Sequence, residues 1–207
     1  MKVKVCGINN FEIARELSVI NPDFLGFIFY ERSPRNISLN EAEKIAKCIP
    51  AEIKKVGVFV NVNKNIIIET GFQCNLNYIQ LHGDESPEFC ERIRKKFKVI
   101  KAFSIGNEID FKAIDSYKES CDIILLDTKS KIRGGSGMKF DWRLLEKFGI
   151  EIPFLLSGGI KPEDADDIVK ISHPKLLGVD INSGFESKPG IKNVQLVKKF
   201  INQIKKT

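Results

Sequence analysis

Apolar residues along the chain gather into eight short runs, separated by longer stretches in which they recur every three or four positions. The runs span residues 3–6, 24–29, 56–61, 78–82, 99–103, 123–127, 154–157 and 176–181. Their length and apolar content predict strands. Segments 40–49, 86–97, 162–171 and 193–204 instead carry helical spacing, as in Val194, Val197, Ile201 and Ile204. Ser38 with Glu41 three residues on, and Ser86 followed by Glu88, are start signals for two of these helices. Eight strands alternating with eight helices in 207 residues predict an α/β fold, a single-domain (β/α)8 TIM barrel over residues 1–207. A doubly wound sheet would want a Gly-rich turn after its first strand, and Gly7-Ile8-Asn9-Asn10 is not one.

Such a barrel keeps its active site at the C-terminal ends of the strands and in the loops that follow. That rule selects Cys6, His82, Asp127, Ser157, Asp180 and Asn182, which end strands one, four, six, seven and eight. Alternation sharpens the choice. Val3 and Val5 should face the helices while Lys4 and Cys6 face inward; Gln80 and His82, and Asp180 and Asn182, should also face inward. Polar groups thus converge on an axis that a purely structural barrel would fill with branched apolar side chains.

Three loops carry glycine. Ser157-Gly158-Gly159-Ile160 follows the seventh strand and Asn182-Ser183-Gly184 the eighth. Their order suits a phosphate site of backbone N–H groups with a short extra helix, although Ser-Gly-Gly alone could be a plain turn. The third loop runs from Asp127 past the glycines at 134–137 to Trp142. Its length suggests a lid beside Asp127 or an ordinary surface loop. Cys6 and Asp127 are the candidate acid–base pair, expected at the rim; the alternatives are a core thiol and a helix cap. Lys4 on the same face could favour a thiolate. Arg35 in Ser33-Pro34-Arg35 could grip a carboxylate through two parallel hydrogen bonds, or make a surface salt bridge.

Composition narrows the class. The net charge is +6, mostly from lysines spread along helix-like segments, which fits a solvated surface and not a nucleic-acid binder. No apolar run nears the roughly 18 residues of a membrane span. The chain enters strand-like alternation at once, so no signal peptide and a cytoplasmic location are expected. Five scattered cysteines without a CxxC pair, and two histidines, argue against a disulfide framework and a metal site.

Several segments together resemble the phosphoribosylanthranilate isomerases. They are Lys4-Val5-Cys6-Gly7, Gly26-Phe27-Ile28-Phe29 with Ser33 and Arg35, Val56-Gly57-Val58-Phe59-Val60-Asn61, and Gln80-Leu81-His82-Gly83. Leu125-Leu126-Asp127-Thr128, glycines 134–137 with Phe140-Asp141-Trp142, Ser157 to Ile160, Val179 to Gly184, and Pro189-Gly190 complete the set. The resemblance implies an Amadori rearrangement in tryptophan biosynthesis. Asp127 would be the general acid that opens the sugar ring and Cys6 the general base that removes the C2 proton. Arg35 would hold the anthranilate carboxylate, and the loops carrying Gly158, Gly159, Ser183 and Gly184 the phosphate; His82 and Asp180 are also expected to contact substrate. No cofactor or metal is implied, and the expected partner is a phosphorylated small molecule, with the chain a monomer or homodimer. Asn193 stands where the family usually has an acidic residue, and Lys161 where asparagine is frequent. A related barrel isomerase of histidine biosynthesis resembles a two-aspartate arrangement, with an acidic residue where this chain has Cys6. A non-catalytic phosphate-binding barrel and a basic nucleic-acid-binding protein are the readings from other classes.

Overall fold

Parallel strands covered by helices on one side and packed against each other on the other have no solvent face, which is why these runs are nearly all apolar. The computed structural model describes residues 1–106, 108–128, 139–147 and 149–205. Its strands are β1 (Lys2–Cys6), β2 (Phe24–Phe29), β3 (Lys54–Phe59), β4 (Tyr78–Leu81), β5 (Lys98–Ile105), β6 (Ile123–Thr128), β7 (Phe154–Leu156) and β8 (Leu176–Ile181). Each pairs in parallel with the next, and β8 returns to β1 to close the barrel. The helices are α1 (Phe11–Ile20), α2 (Leu39–Cys48), α3 (Lys64–Gln73), α4 (Pro87–Arg94), α5 (Phe111–Asp115), α6 (Ala165–Ile168) and α7 (Val194–Lys205). An antiparallel hairpin, β9 (Glu186–Lys188) and β10 (Ile191–Lys192), precedes α7. Among the described residues no helix is long and apolar enough to cross a membrane.

The helix start signals act as expected. Ser38 and Glu41 form a reciprocal capping box on α2, and Ser86 Oγ accepts from the Phe89 N–H at 3.3 Å on α4. Among the described residues seven α-helices are present, and the segments expected to complete the set of eight helices are partly 3-10. Between β6 and β7 the described residues hold only a 3-10 helix, Trp142–Lys147. Segment 162–171 splits into a 3-10 turn, Pro162–Asp164, and the four-residue α6. Asp164 accepts from the Lys161 N–H at 2.7 Å and pairs with Lys139, which ties up the first turn.

Two apolar clusters result. The larger lies between strands and helices and includes Val3, Val5, Ile79, Leu81, Val179 and Ile181. The smaller fills the barrel interior with Phe24, Val56, Ile100, Ala102, Ile123, Leu125 and Leu155. Side-chain alternation therefore runs as expected. The interior also takes in Lys4, 0% exposed, whose Nζ bonds Asp180 Oδ1 at 2.9 Å where β1 pairs with β8 in register Lys4↔Asp180. An ammonium stripped of water costs several kcal/mol unless a carboxylate faces it.

Removing one partner strands the other as a buried charge. Lys4→Met should thus lower unfolding free energy by about 3–5 kcal/mol in denaturant melts. Lys4→Met combined with Asp180→Leu should recover most of that loss, and a double variant no more stable than the single would contradict this account.

Candidate active site

One wall of the barrel mouth is built around Cys6. Its register partner on β2 is Gly26, and a side chain there would begin 3.0 Å from Cys6 Sγ and 3.3 Å from Lys4 Nζ. Glycine at this position lets thiol and ammonium share one small space. Cys6 is 3% exposed, so it is not at an open rim as expected; it faces the cavity from within the top layer. Burial pushes its thiol pKa up, Lys4 pulls it down, and Asp180 pushes it up again. Lys4 favours the thiolate as expected, but burial outweighs it and the net direction is upward. Burial works against the charge of Lys4 itself, yet Asp180 and Cys6 raise its pKa, so the ammonium is held.

Arg35 comes from the loop after β2 and makes no surface salt bridge. It is neither free nor on the surface: at 5% exposure it bonds Glu186 through Nε, at 2.9 and 3.0 Å, and Nη2, at 2.7 Å. Lys192, across the β9–β10 hairpin from Glu186, bonds the same carboxylate and Asn182 Oδ1 at 2.6 Å. Burial opposes the charge of Glu186, but Arg35 and Lys192 hold its carboxyl below the usual range. Burial lowers the pKa of Lys192, against the pull of Glu186 and Cys6. Gly7, at φ +79°, lets the chain leave β1 between these groups; a side chain there would begin 2.9 Å from both Arg35 Cδ and Asn182 Oδ1.

The opposite wall holds Asp127 at the end of β6, next to Ser104 of β5 in register. Among the described residues Asp127 caps no helix. Its Oδ2 lies 3.3 Å from His82 Nε2, and His82 Nδ1 lies 3.2 Å from Gln80 Nε2. Beneath the loop after β4, Lys101 bonds Glu85 Oε2 at 3.2 Å and the Gly83 carbonyl at 2.7 Å. Glu85 accepts from the Asn61 and Gly83 N–H groups at 2.8 and 2.9 Å. This buried clamp fixes the loop that carries His82.

The loops after β7 and β8 meet beneath the third side of the mouth. Gly158 and Gly159 have φ of +87° and +67°, and a side chain on Gly158 would collide with the Thr128 backbone. Gly184 does not line the cavity; it sits against the Ile160 carbonyl, where any side chain would block the approach of the two loops. Ser183 starts a 3-10 turn, Ser183–Phe185, in the place expected for a short extra helix. The glycines at 134–137, read as a lid, lie outside the described residues.

The three walls enclose one cavity of about 560 Å³, lined among others by Cys6, Arg35, His82, Asp127, Gly158, Gly159, Asp180 and Ser183. A family model described as N-(5'phosphoribosyl)anthranilate (PRA) isomerase matches residues 3–203, a span that contains every one of them. The chain belongs to that isomerase family. The family's member from Parabacteroides distasonis is 43% identical over 206 residues, covering 99% of this chain and 93% of the relative. The phosphoribosyl anthranilate isomerase of Thermotoga maritima has a solved structure that matches with TM-score 0.92 and 38% identity over 100% of both chains. A phosphoribosyl anthranilate isomerase solved in complex with reduced 1-(o-carboxyphenylamino)-1-deoxyribulose 5-phosphate matches with TM-score 0.88 and 36% identity, again over 100% of both chains.

Sequence reasoning missed Glu186, Lys192, Lys101 and Glu85. Lys101 left a signal, a lone charge inside the apolar run Val99-Ile100-Lys101-Ala102-Phe103. Glu186 and Lys192 left none beyond their turn, because their partner Arg35 is 151 residues away from Glu186.

A raised pKa leaves the Cys6 sulfur protonated at neutral pH. Its alkylation by iodoacetamide, followed by peptide mapping to separate it from Cys48, should accelerate only above the ordinary thiol range near about 8.5. In Asp180→Asn the acceleration should come at lower pH, since a negative neighbour is lost while Lys4 remains. A Cys6 rate already at plateau at neutral pH would contradict this electrostatic picture.

Proposed function

We infer that the chain catalyses the Amadori rearrangement of N-(5'-phosphoribosyl)anthranilate to 1-(2-carboxyphenylamino)-1-deoxyribulose 5-phosphate, a step of tryptophan biosynthesis. The observation that carries this reading is the convergence of a thiol on β1 and a carboxyl on β6 on one cavity that also receives Arg35 and two glycine-bearing loops. An isomerisation needs a proton given at one atom and another removed nearby, and two such groups supply both.

In the reaction Asp127, as a carboxylic acid, gives its proton to the furanose ring oxygen. The bond from that oxygen to C1 breaks as the anilino nitrogen lone pair forms a C=N bond, a protonated Schiff base. Cys6, as a thiolate, takes the C2 proton, and its electrons pass through C1 to the nitrogen to give an enolamine. Loss of the C2 hydroxyl proton with protonation at C1 yields the ketone, so no proton is gained or lost overall. Glu186 takes Nε and Nη2 of Arg35, which leaves the Nη1 edge for the anthranilate carboxylate. Backbone N–H groups near Gly158, Gly159 and Ser183 suit the phosphate. Gly184 serves by letting the two loops approach. The upward-shifted thiol must be deprotonated in the complex, and Lys4 is the cation beside it.

Purified protein should consume phosphoribosylanthranilate in a fluorescence assay, with inorganic phosphate competing; folded protein without turnover overturns the reading. Cys6→Ala and Asp127→Asn should each lower kcat on the order of 10²–10⁴-fold with little change in KM. Arg35→Ala should mainly raise KM, because its contact exists in ground and transition states alike. A collapsed kcat at unchanged KM would remove Arg35 from the binding role.

A further inference from the structure

The buried ion pairs around the mouth differ in charge balance. Lys4 meets Asp180 and Lys101 meets Glu85, one cation to one carboxylate. Glu186 meets two cations, Arg35 and Lys192, and none of the three side chains is more than 6% exposed. One positive charge is left over. The hydrogen-bond partners of Lys192 Nζ are all acceptors: Glu186 Oε1, Asn182 Oδ1 at 2.6 Å and the Asn182 carbonyl at 3.4 Å. Three acceptors take the three hydrogens of an ammonium, so the charge stands against the cost of burial. Of the three residues Arg35 lines the cavity, and Glu186 leaves its Nη1 edge open.

Each member has a separable effect. An arginine paired with Glu186 alone would form a neutral couple, well oriented but weak in its pull on an anion. An arginine without Glu186 would keep its charge and lose the group that fixes its plane. Glu186 is itself held to the hairpin, where Oε1 accepts from the Gly190 N–H at 3.2 Å. Together the three offer a fixed guanidinium edge with one unmatched positive charge. Cys6, which also feels Lys192, is shifted toward the neutral thiol and brings no compensating charge. A buried charge of this kind favours a ligand that supplies one negative charge in planar form, which is a carboxylate.

We propose that Glu186 and Lys192 are positioning residues for carboxylate recognition: Glu186 turns Arg35, and Lys192 offsets the charge of Glu186, so that the arginine meets the substrate carboxylate with its positive charge intact. The proposal rests on Arg35 being the carboxylate anchor. It adds that the anchor works as a cluster of three, two of whose members act through the first.

Two ligands read this directly: reduced 1-(o-carboxyphenylamino)-1-deoxyribulose 5-phosphate, and the same compound lacking its carboxyl group. The ratio of their Kd values measures the preference for the carboxylate. Lys192→Met should lower that preference on the order of tenfold, the scale of one nearby charge removed at an effective dielectric near about 20. The ligand without the carboxyl should bind as before. Lys192→Gln, which keeps a donor but no charge, should do the same. Glu186→Gln added to Lys192→Met restores the unmatched positive charge on Arg35, and should recover most of the preference although it disturbs the cluster further. A merely structural role predicts the opposite, a double variant worse than Lys192→Met, and that result overturns the proposal. So does an equal loss of both ligands in Lys192→Met, or a fall in kcat with the preference unchanged, which would assign the Lys192 charge to Cys6. Failure of the Arg35 reading shows separately, in the unaltered protein, as equal binding of the two ligands, and takes the proposal with it.

Discussion

A lysine ammonium inside a closed barrel must have a carboxylate facing it, and the 2.9 Å contact between Lys4 and Asp180 meets that demand at the seam where the first strand meets the last. Around it the top layer is arranged. Lys4 sits on the space left by Gly26, which it shares with Cys6, and Asp180 extends the electrostatic link to His82 and Asp127 on the far wall. The cation that secures the seam is thereby the cation beside the thiol. Structural and chemical demands on this residue coincide, and the apolar interior below it carries the packing.

Polar groups elsewhere in the top layer follow the same logic of mutual satisfaction. Glu186 lies between Arg35 and Lys192, and Glu85 between Lys101 and two backbone N–H groups, so each of these buried carboxylates meets a buried cation. Isolated ion pairs of this kind stabilise little against apolar substitutes, but they fix orientation. Arg35 keeps one edge toward the cavity and the loop after β4 keeps His82 aimed at Asp127. The glycines contribute in a complementary way, by omission. Gly7, Gly158 and Gly184 each stand where a side chain would strike an arginine, a threonine backbone or a carbonyl.

The barrel and much of the site were legible because both depend on local periodicity. Alternation along a strand places Cys6, Gln80, Asp127 and Asp180 inward whatever their surroundings, and a strand end places them near the mouth. Electrostatics were not legible in the same way. That Cys6 is buried, that its thiol is shifted upward, and that Arg35 is already paired all depend on residues distant in the chain but close in space. The helix at 142–147 is 3-10 and not α, a difference of hydrogen-bond register that apolar spacing does not specify. Gly184 illustrates the remaining gap: a glycine in the right loop signals that backbone comes close, without saying whether the neighbour is a ligand or another loop.

The hairpin after β8 has a consequence for the order in which the molecule becomes complete on the ribosome. Cys6 and Arg35 are made first, yet Asp180, Glu186 and Lys192 lie within the last part of the chain. A nascent chain that has reached only β7 holds an uncompensated Lys4 on an unpaired strand edge and an arginine without its carboxylate. Synthesis therefore assembles the walls in sequence but creates the reaction centre at the end, when the final strand and its hairpin fold back on the oldest residues. Until then the emerging polypeptide lacks the strand that closes the barrel and the carboxylates that pair with Lys4 and Arg35.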